Sequence, residues 1–260
     1  EGSVLIPAGR RLRPQEVGLL AALGQQTVSV RRRPRVTILS TGDEVVPVER
    51  KPLPGQVRDV NSHSLAALCT GAGAEVRMAG LVGDDRAELE AAVREAAQWA
   101  DVVLLSGGSS AGMRDHTVEV FLSMPDSSLL VHGAAISPGK PFILARTGGI
   151  CLMGLPGQVT SALVCARVFL LPLLRHLQGG EETVTPGVSA VLSRSVASAQ
   201  GRRDFIRVRL SRSADGWIAD PVTAPSGLIS GLVAADALVI CPENSEGLYA
   251  GQSVFAELLV

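Results

Sequence analysis

The residues of this 260-residue chain best suited to chemistry fall in five short loops. Ser40–Glu44 reads STGDE and follows the apolar run VTIL, so Asp43 and Glu44, behind Thr41 and Gly42, set two adjacent carboxylates past a strand end. In an open α/β sheet ligands bind beyond the carboxyl ends of the strands, and paired carboxylates there suit a metal or a polar ligand. Asp59–Ser62 (DVNS) opens a helix, with Asn61 or Ser62 suited to its N-cap. Ser106–Gly112 (SGGSSAG), followed by Asp115, sets Gly107 and Gly108 before Ser109 and Ser110. Glycines let a backbone approach an anion closely, and amides with hydroxyls can cradle a phosphate. Ser137–Pro141 (SPGKP) carries Lys140, one of two lysines beside Lys51, and Gly154–Gly157 (GLPG) is a second Pro-Gly turn. Taken alone, each loop also reads as turn or capping chemistry.

Competing constellations fail on spacing. The SGG loop ends in no Gly-Lys-Ser/Thr and is not G-x-G-x-x-G, and no G-x-S-x-G elbow occurs. His63, His116, His132 and His176 lack metal-ligand spacing. Cys69, Cys151, Cys165 and Cys241 are scattered, as expected of buried thiols in a reducing compartment. A net charge of -1 and 3% aromatic residues give no reason to expect nucleic acid or membrane as a partner. The run EGSVLIPAGRR lacks the order of a secretion signal, and the expectation is a cytoplasmic protein.

The elements that must position these loops alternate in type. VTILS, EVRMAGLV and DVVLLSGG read as strands, and Ser62 to Cys69 and Arg86 to Trp99 as helices, the rhythm of βαβ units around a mostly parallel sheet. Leu89, Ala92, Val93, Ala96 and Trp99 recur at helical spacing opposite Glu88, Glu90, Arg94 and Glu95. Strand-like runs at 129–136, 142–145 and 149–154 lead into a long apolar helix, 159–177, which Pro172 should kink. After the linker GGEETVTPG come short strand-like runs without a helical pattern, as in a small all-β domain. RPQEVGLLAAL reads as a helix, TVSVRRR as a strand, and Arg31–Arg33 as a solvated strand end. The expected division is a remnant segment (1–33), a three-layer α/β domain (34–180) and a small all-β domain (181–260).

In their order, STGDEVV, DVNS, LVGDD, SGGSSAG with Asp115, SPGKP and GLPG resemble the molybdopterin molybdotransferase family, the MoeA-type proteins that include the gephyrin E domain. The resemblance runs from about Leu5 to the C-terminus. It implies a molybdopterin-binding α/β domain followed by a small β-barrel-like domain (181–260), usually in a homodimer, and insertion of molybdate into adenylylated molybdopterin with Mg²⁺ and release of AMP. It further implies metal-ligating roles for Glu44 and Asp84 and catalytic roles for these two, Asp115 and Lys140. Pterin or nucleotide contacts are implied for Thr41, Gly42, Asp43, Asp59, Asn61, Ser62, Ser106–Ser110, Pro138, Gly139, Pro141, Pro156, Gly157 and Ser161. Molybdopterin adenylyltransferase is the protein partner it suggests.

The chain also departs from the family pattern. Gly133 and Ser137 stand where two lysines commonly precede the PGKP turn, and Gln158, Val159 and Thr160 precede Ser161 where the family reads N-P-V-S. Arg146 and Arg114 are the cations considered as replacements. The alternative function is a non-catalytic molybdopterin-binding or scaffold protein of the same fold. Members of the family carry further N-terminal domains, which also supply active-site groups across a subunit interface.

Overall fold

The computed structural model describes residues 3–107, 111–180 and 185–259, with 111–115 described by their backbone alone. Helix α1 (Pro14–Ala22) begins with proline at its first turn, and Glu16 turns back to accept from the Arg13 amide at 2.9 Å. Glu16 is buried and also pairs with Arg10 at 3.1 Å. The segment TVSVRRR is not a strand, which corrects the expectation from its alternation. Among the described residues it has no ladder partner, and Arg32 is instead clamped to Asp101 at 2.5 and 2.6 Å. Alternation without a sheet edge to pair with does not make a strand.

The α/β part runs β1 (Arg35–Thr41), β2 (Val45–Val46), β3 (Val57–Arg58), α2 (Asn61–Gly71), β4 (Glu75–Val82), α3 (Arg86–Ala97), β5 (Val102–Ser106) and α4 (Ala111–Leu122). It continues through β6 (Ser127–His132), β7 (Ile136–Ser137), β8 (Ile143–Thr147) and β9 (Ile150–Leu155). Six strands form one sheet in the order β4-β1-β5-β9-β8-β6, the first four mutually parallel and β8 and β6 joined by antiparallel pairings. β1 and β5 are covered on both faces: Val36, Ile38, Val102 and Leu104 face one core with Leu65 and Cys69 of α2. Leu39, Val103 and Leu105 face the other, with Leu89 and Val93 of α3.

The 159–177 helix is long and apolar enough to cross a membrane by length and composition, and half of it is buried as a core helix. It runs as α5 (Val159–Cys165), a π-helical turn (Ala166–Leu170) and α6 (Leu171–Leu177). The irregular turn abuts Pro172, whose missing amide breaks the regular ladder. Phe142 stacks on Phe169 of that turn at 4.2 Å.

The C-terminal part comprises β10 (Gly187–Leu192), β11 (Val196–Ala197), β12 (Arg203–Ser213), β13 (Gly216–Pro221), α7 (Ser230–Val233), β14 (Ala237–Cys241), β15 (Gly247–Leu248) and β16 (Ser253–Leu258). Its main sheet runs β13-β10-β16-β14-β12-β7, and β12 also pairs with β13, which closes five strands into a ring. The ring is tied to the α/β part twice. β7 pairs with the start of β12, and Phe205 and Leu238 join the core of α2, α5 and α6.

Candidate functional site

Parallel register brings the chemistry-bearing loops to one edge. Thr41 lies opposite Val82, and Ser40 opposite Ser106, which lies opposite Leu155, so the loops after β1, β4, β5 and β9 leave side by side. Glycine is required in two of them. Gly42 (φ +136°) lies so close to the Glu44 carboxylate that a Cβ would stand 2.9 Å from Oε2. Gly107 (φ +145°) is so close to β1 that a Cβ would meet the Thr41 carbonyl oxygen at 2.1 Å.

At one end of this edge the STGDE and GDD loops are bonded to each other. The buried Thr41 hydroxyl donates to Asp84 Oδ1 at 2.7 Å, while Asp43 and Asp84 exchange amide-to-carboxylate bonds at 3.4 Å each. Glu44 is exposed beside them, and Asp85 caps α3 by accepting from the Glu88 amide at 3.0 Å. Among the described residues no cluster of three or more His, Cys, Asp or Glu forms a ready-made cation cage. Two carboxylates completed by ligand phosphate oxygens are nevertheless the donor set Mg²⁺ takes in phosphate sites, so Asp84 and its neighbours fit it on those terms.

Below the edge, Asp59 is buried and accepts from Ser40 Oγ at 3.1 Å and from the Ser62 amide at 3.0 Å, with the Ser62 hydroxyl on its other oxygen. Asp59 and Ser62 thus hold the start of α2 against β1. Asn61 stands higher: its Nδ2 donates to Ser106 Oγ at 2.8 Å and to the Gly157 carbonyl at 2.9 Å. Gly108, Ser109 and Ser110 lie outside the described residues, as do the side chains of Asp115 and Arg114.

The other end opens into a cavity of about 880 Å³. The PGKP turn (Pro138, Gly139, Lys140, Pro141) forms one wall, and Pro156, Gln158 and the buried Ser161 form another. Gly133 and Ser137 line it as well. Gly139 (φ +126°) packs on Cys165, where a Cβ would meet Sγ at 2.7 Å; burial pushes that thiol up to about 12, which removes it as a nucleophile.

The ring of β strands closes the cavity with Gln200, Arg202 and Ser226, none of which sequence reasoning singled out. Arg202 is oriented by Asp204, 2.9 Å from its Nε, and the Ser226 carbonyl accepts from the Thr160 amide at 3.1 Å. Arg146 does not line the cavity; it donates to Ser128 Oγ at 3.1 Å across the β6–β8 pair. The cavity lining therefore holds the cations Lys140 and Arg202 with His132 and, among the described residues, no carboxylate.

The chain is thus a mostly parallel α/β sheet whose glycine- and acid-bearing loops share one edge, joined to a closed β ring. Residues 37–176 match the family described as "Probable molybdopterin binding domain", and the chain belongs to it. Residues 189–259 match "MoeA C-terminal region (domain IV)". Among curated relatives, the chain is 32% identical over 97% of its length to "Molybdopterin molybdenumtransferase 1" of Mycobacterium tuberculosis, covering 61% of that protein. It is 33% identical over 99% of its length to "Molybdopterin molybdenumtransferase" of Haemophilus influenzae, covering 64%. Among solved structures, a molybdopterin biosynthesis MoeA protein of Pyrococcus horikoshii superposes with a TM-score of 0.84 at 35% identity, over 96% of this chain and 61% of that one. The chain thus spans about three-fifths of the length of these relatives.

Proposed function

We propose that this chain carries the ligand site of a molybdopterin molybdotransferase, which binds adenylylated molybdopterin along the strand-tip edge and inserts molybdate with release of AMP. The observation that carries the reading is the separation of charge along that edge: carboxylates at the β1 and β4 tips, and beyond the β9 tip a cavity lined by Lys140 and Arg202 with, among the described residues, no carboxylate in its lining. A small oxyanion such as molybdate suits the cationic cavity, because charge-assisted bonds from lysine and arginine are the strong ones. The amide of Gly107 is spent on the Leu155 carbonyl, so the phosphate would be met by the backbone and hydroxyl donors of Gly108, Ser109 and Ser110 that follow it in sequence, and Asp115 is the acid assigned to the reaction there. Pro138, Gly139, Pro141, Pro156, Gly157 and Ser161 shape the walls.

Asp84, with Asp43 and Glu44, would hold Mg²⁺ together with the phosphates, and the bound ion would offset charge developing as the anhydride is cleaved. Lys140 and Arg202 would do the same for the oxyanion from the other side. The reading takes residues 34–180 as the binding domain, 181–260 as the β-barrel domain and 1–33 as the segment leading in. It includes a homodimer in the cytoplasm, supplied with substrate by the adenylyltransferase.

A second reading, recognition without transfer, is favoured by Gly133 and Ser137, which line the cavity without adding charge. The test is equilibrium binding of adenylylated molybdopterin to the chain, followed by molybdate and Mg²⁺ with AMP release monitored. Binding with AMP release is expected, binding without release selects the second reading, and absence of binding overturns both.

A further inference from the structure

Asn61 is the first residue of α2, and its carboxamide is used on two sides. Nδ2 donates to Ser106 Oγ (2.8 Å) at the tip of β5 and to the Gly157 carbonyl (2.9 Å) in the turn between β9 and α5. The Gly157 oxygen can only accept, so the orientation of the amide is determined by its partner. The β5–β9 ladder pairs as far as Ser106 and Leu155, with one more bond from the Gly107 amide to the Leu155 carbonyl at 3.3 Å. Past that point, Asn61 bridges the GLPG turn to the β5 tip through both bonds of its Nδ2. Gly157 immediately precedes Gln158, the N-cap of α5, so the same side chain also ties the start of α2 to the start of α5. Pro156, Gln158 and Ser161, on either side of Gly157, form a cavity wall.

We propose that Asn61 is a positioning residue: it holds the GLPG turn and the first turn of α5 against the β5 tip at Ser106 and so fixes where Pro156, Gln158 and Ser161 stand in the cavity wall. Its importance for ligand binding rests on the function proposed above, whereas the clamp itself does not. Because both amide hydrogens are spent, only the acceptor Oδ1 remains for a ligand. Any direct contact would take an N–H or O–H group and not a phosphate.

Hydrogen exchange of the full chain tests the clamp without a ligand. Asn61→Asp is nearly isosteric but sets a carboxylate against the Gly157 carbonyl, while Ser106 can still turn its hydroxyl to donate. Exchange of the amides from Gly157 to Ala162 should quicken on the order of tenfold, while those of β14 stay unchanged. Ser106→Ala, which leaves the Gly157 bond in place, should retain protection at 157–162. Unchanged exchange at 157–162 in Asn61→Asp overturns the proposal, as does an equal rise at β14, which would mean a general loss of stability. Should Asn61→Asp not fold, Asn61→Ala gives the same comparison without the added charge. With AMP as the probe in parallel, Asn61→Asp should bind on the order of tenfold more weakly than the parent chain. If the parent chain itself binds no AMP, the functional reading is weakened and the exchange result still decides the clamp.

Discussion

The two ends of the strand-tip edge are built in different ways. At the β1 and β4 end everything is local to the α/β sheet: Thr41, Asp43 and Asp84 come from adjacent parallel strands and bond to one another. At the PGKP end, Lys140 sits on a loop of the same sheet, while Arg202 and Ser226 arrive from the β ring. Charge of one sign is thus assembled by neighbouring βα loops, and charge of the other sign only when two sheets meet. Within the cationic end Arg202 is already paired with Asp204, 2.9 Å away and also bonded by Ser198 Oγ at 2.8 Å, so Lys140 is the cation there with no carboxylate partner among the described residues. The acidic end can therefore survive local damage to the β ring, whereas the cationic end depends on the docking of the ring.

The sharpest way to break this comparison is to push the loops apart at their shared midpoint. Gly107→Ala places a Cβ 2.1 Å from the Thr41 carbonyl in a backbone region alanine avoids, and should cost about 3 kcal/mol of stability, read from denaturant unfolding. Next come the cations. Lys140→Ala and Arg202→Ala should each weaken oxyanion binding by about 10- to 100-fold, read by titration calorimetry with tungstate, while Asp84→Asn should leave that affinity nearly unchanged.

The smallest effect lies far from the edge and serves as a control. Arg13 and Arg10 hold the Glu16 carboxyl down to about 2 from an ordinary 4.5. A lowered acid stabilises the fold above its ordinary value and loses that contribution as pH falls through its folded value, so the start of α1 should loosen between about pH 4.5 and 2. Backbone NMR shifts of residues 13–16 should follow that titration, and Glu16→Gln should show the loosened state already at neutral pH without altering oxyanion binding.

Much of the α/β part was legible because its signals are local. VTIL and VVLL are continuous apolar runs that only a sheet covered on both faces can use, and glycines with acids directly after them mark the loops. Pro172 announced the irregular helix by its missing amide. The ring was legible from its residues as a succession of short strands, while a barrel-like closure was implied by the family resemblance alone, since pairing partners are set in three dimensions. TVSVRRR misled because its alternation matches a strand whose partner it lacks among the described residues. Arg202 was missed because an arginine beside another arginine at a strand start looks like any solvated residue; only the docked ring turns it towards Lys140's cavity. Arg146 could stand in for a missing lysine only if the fold brought it near, and its strand directs it to Ser128 instead.

The proposed function puts the oxyanion at the cationic end and not among the carboxylates. Crystals of the chain soaked with tungstate, with its anomalous signal mapped, test this most directly. The account predicts a tungsten peak in the cavity between Lys140 and Arg202; a peak at Asp43 and Asp84, or none near Lys140, would contradict it.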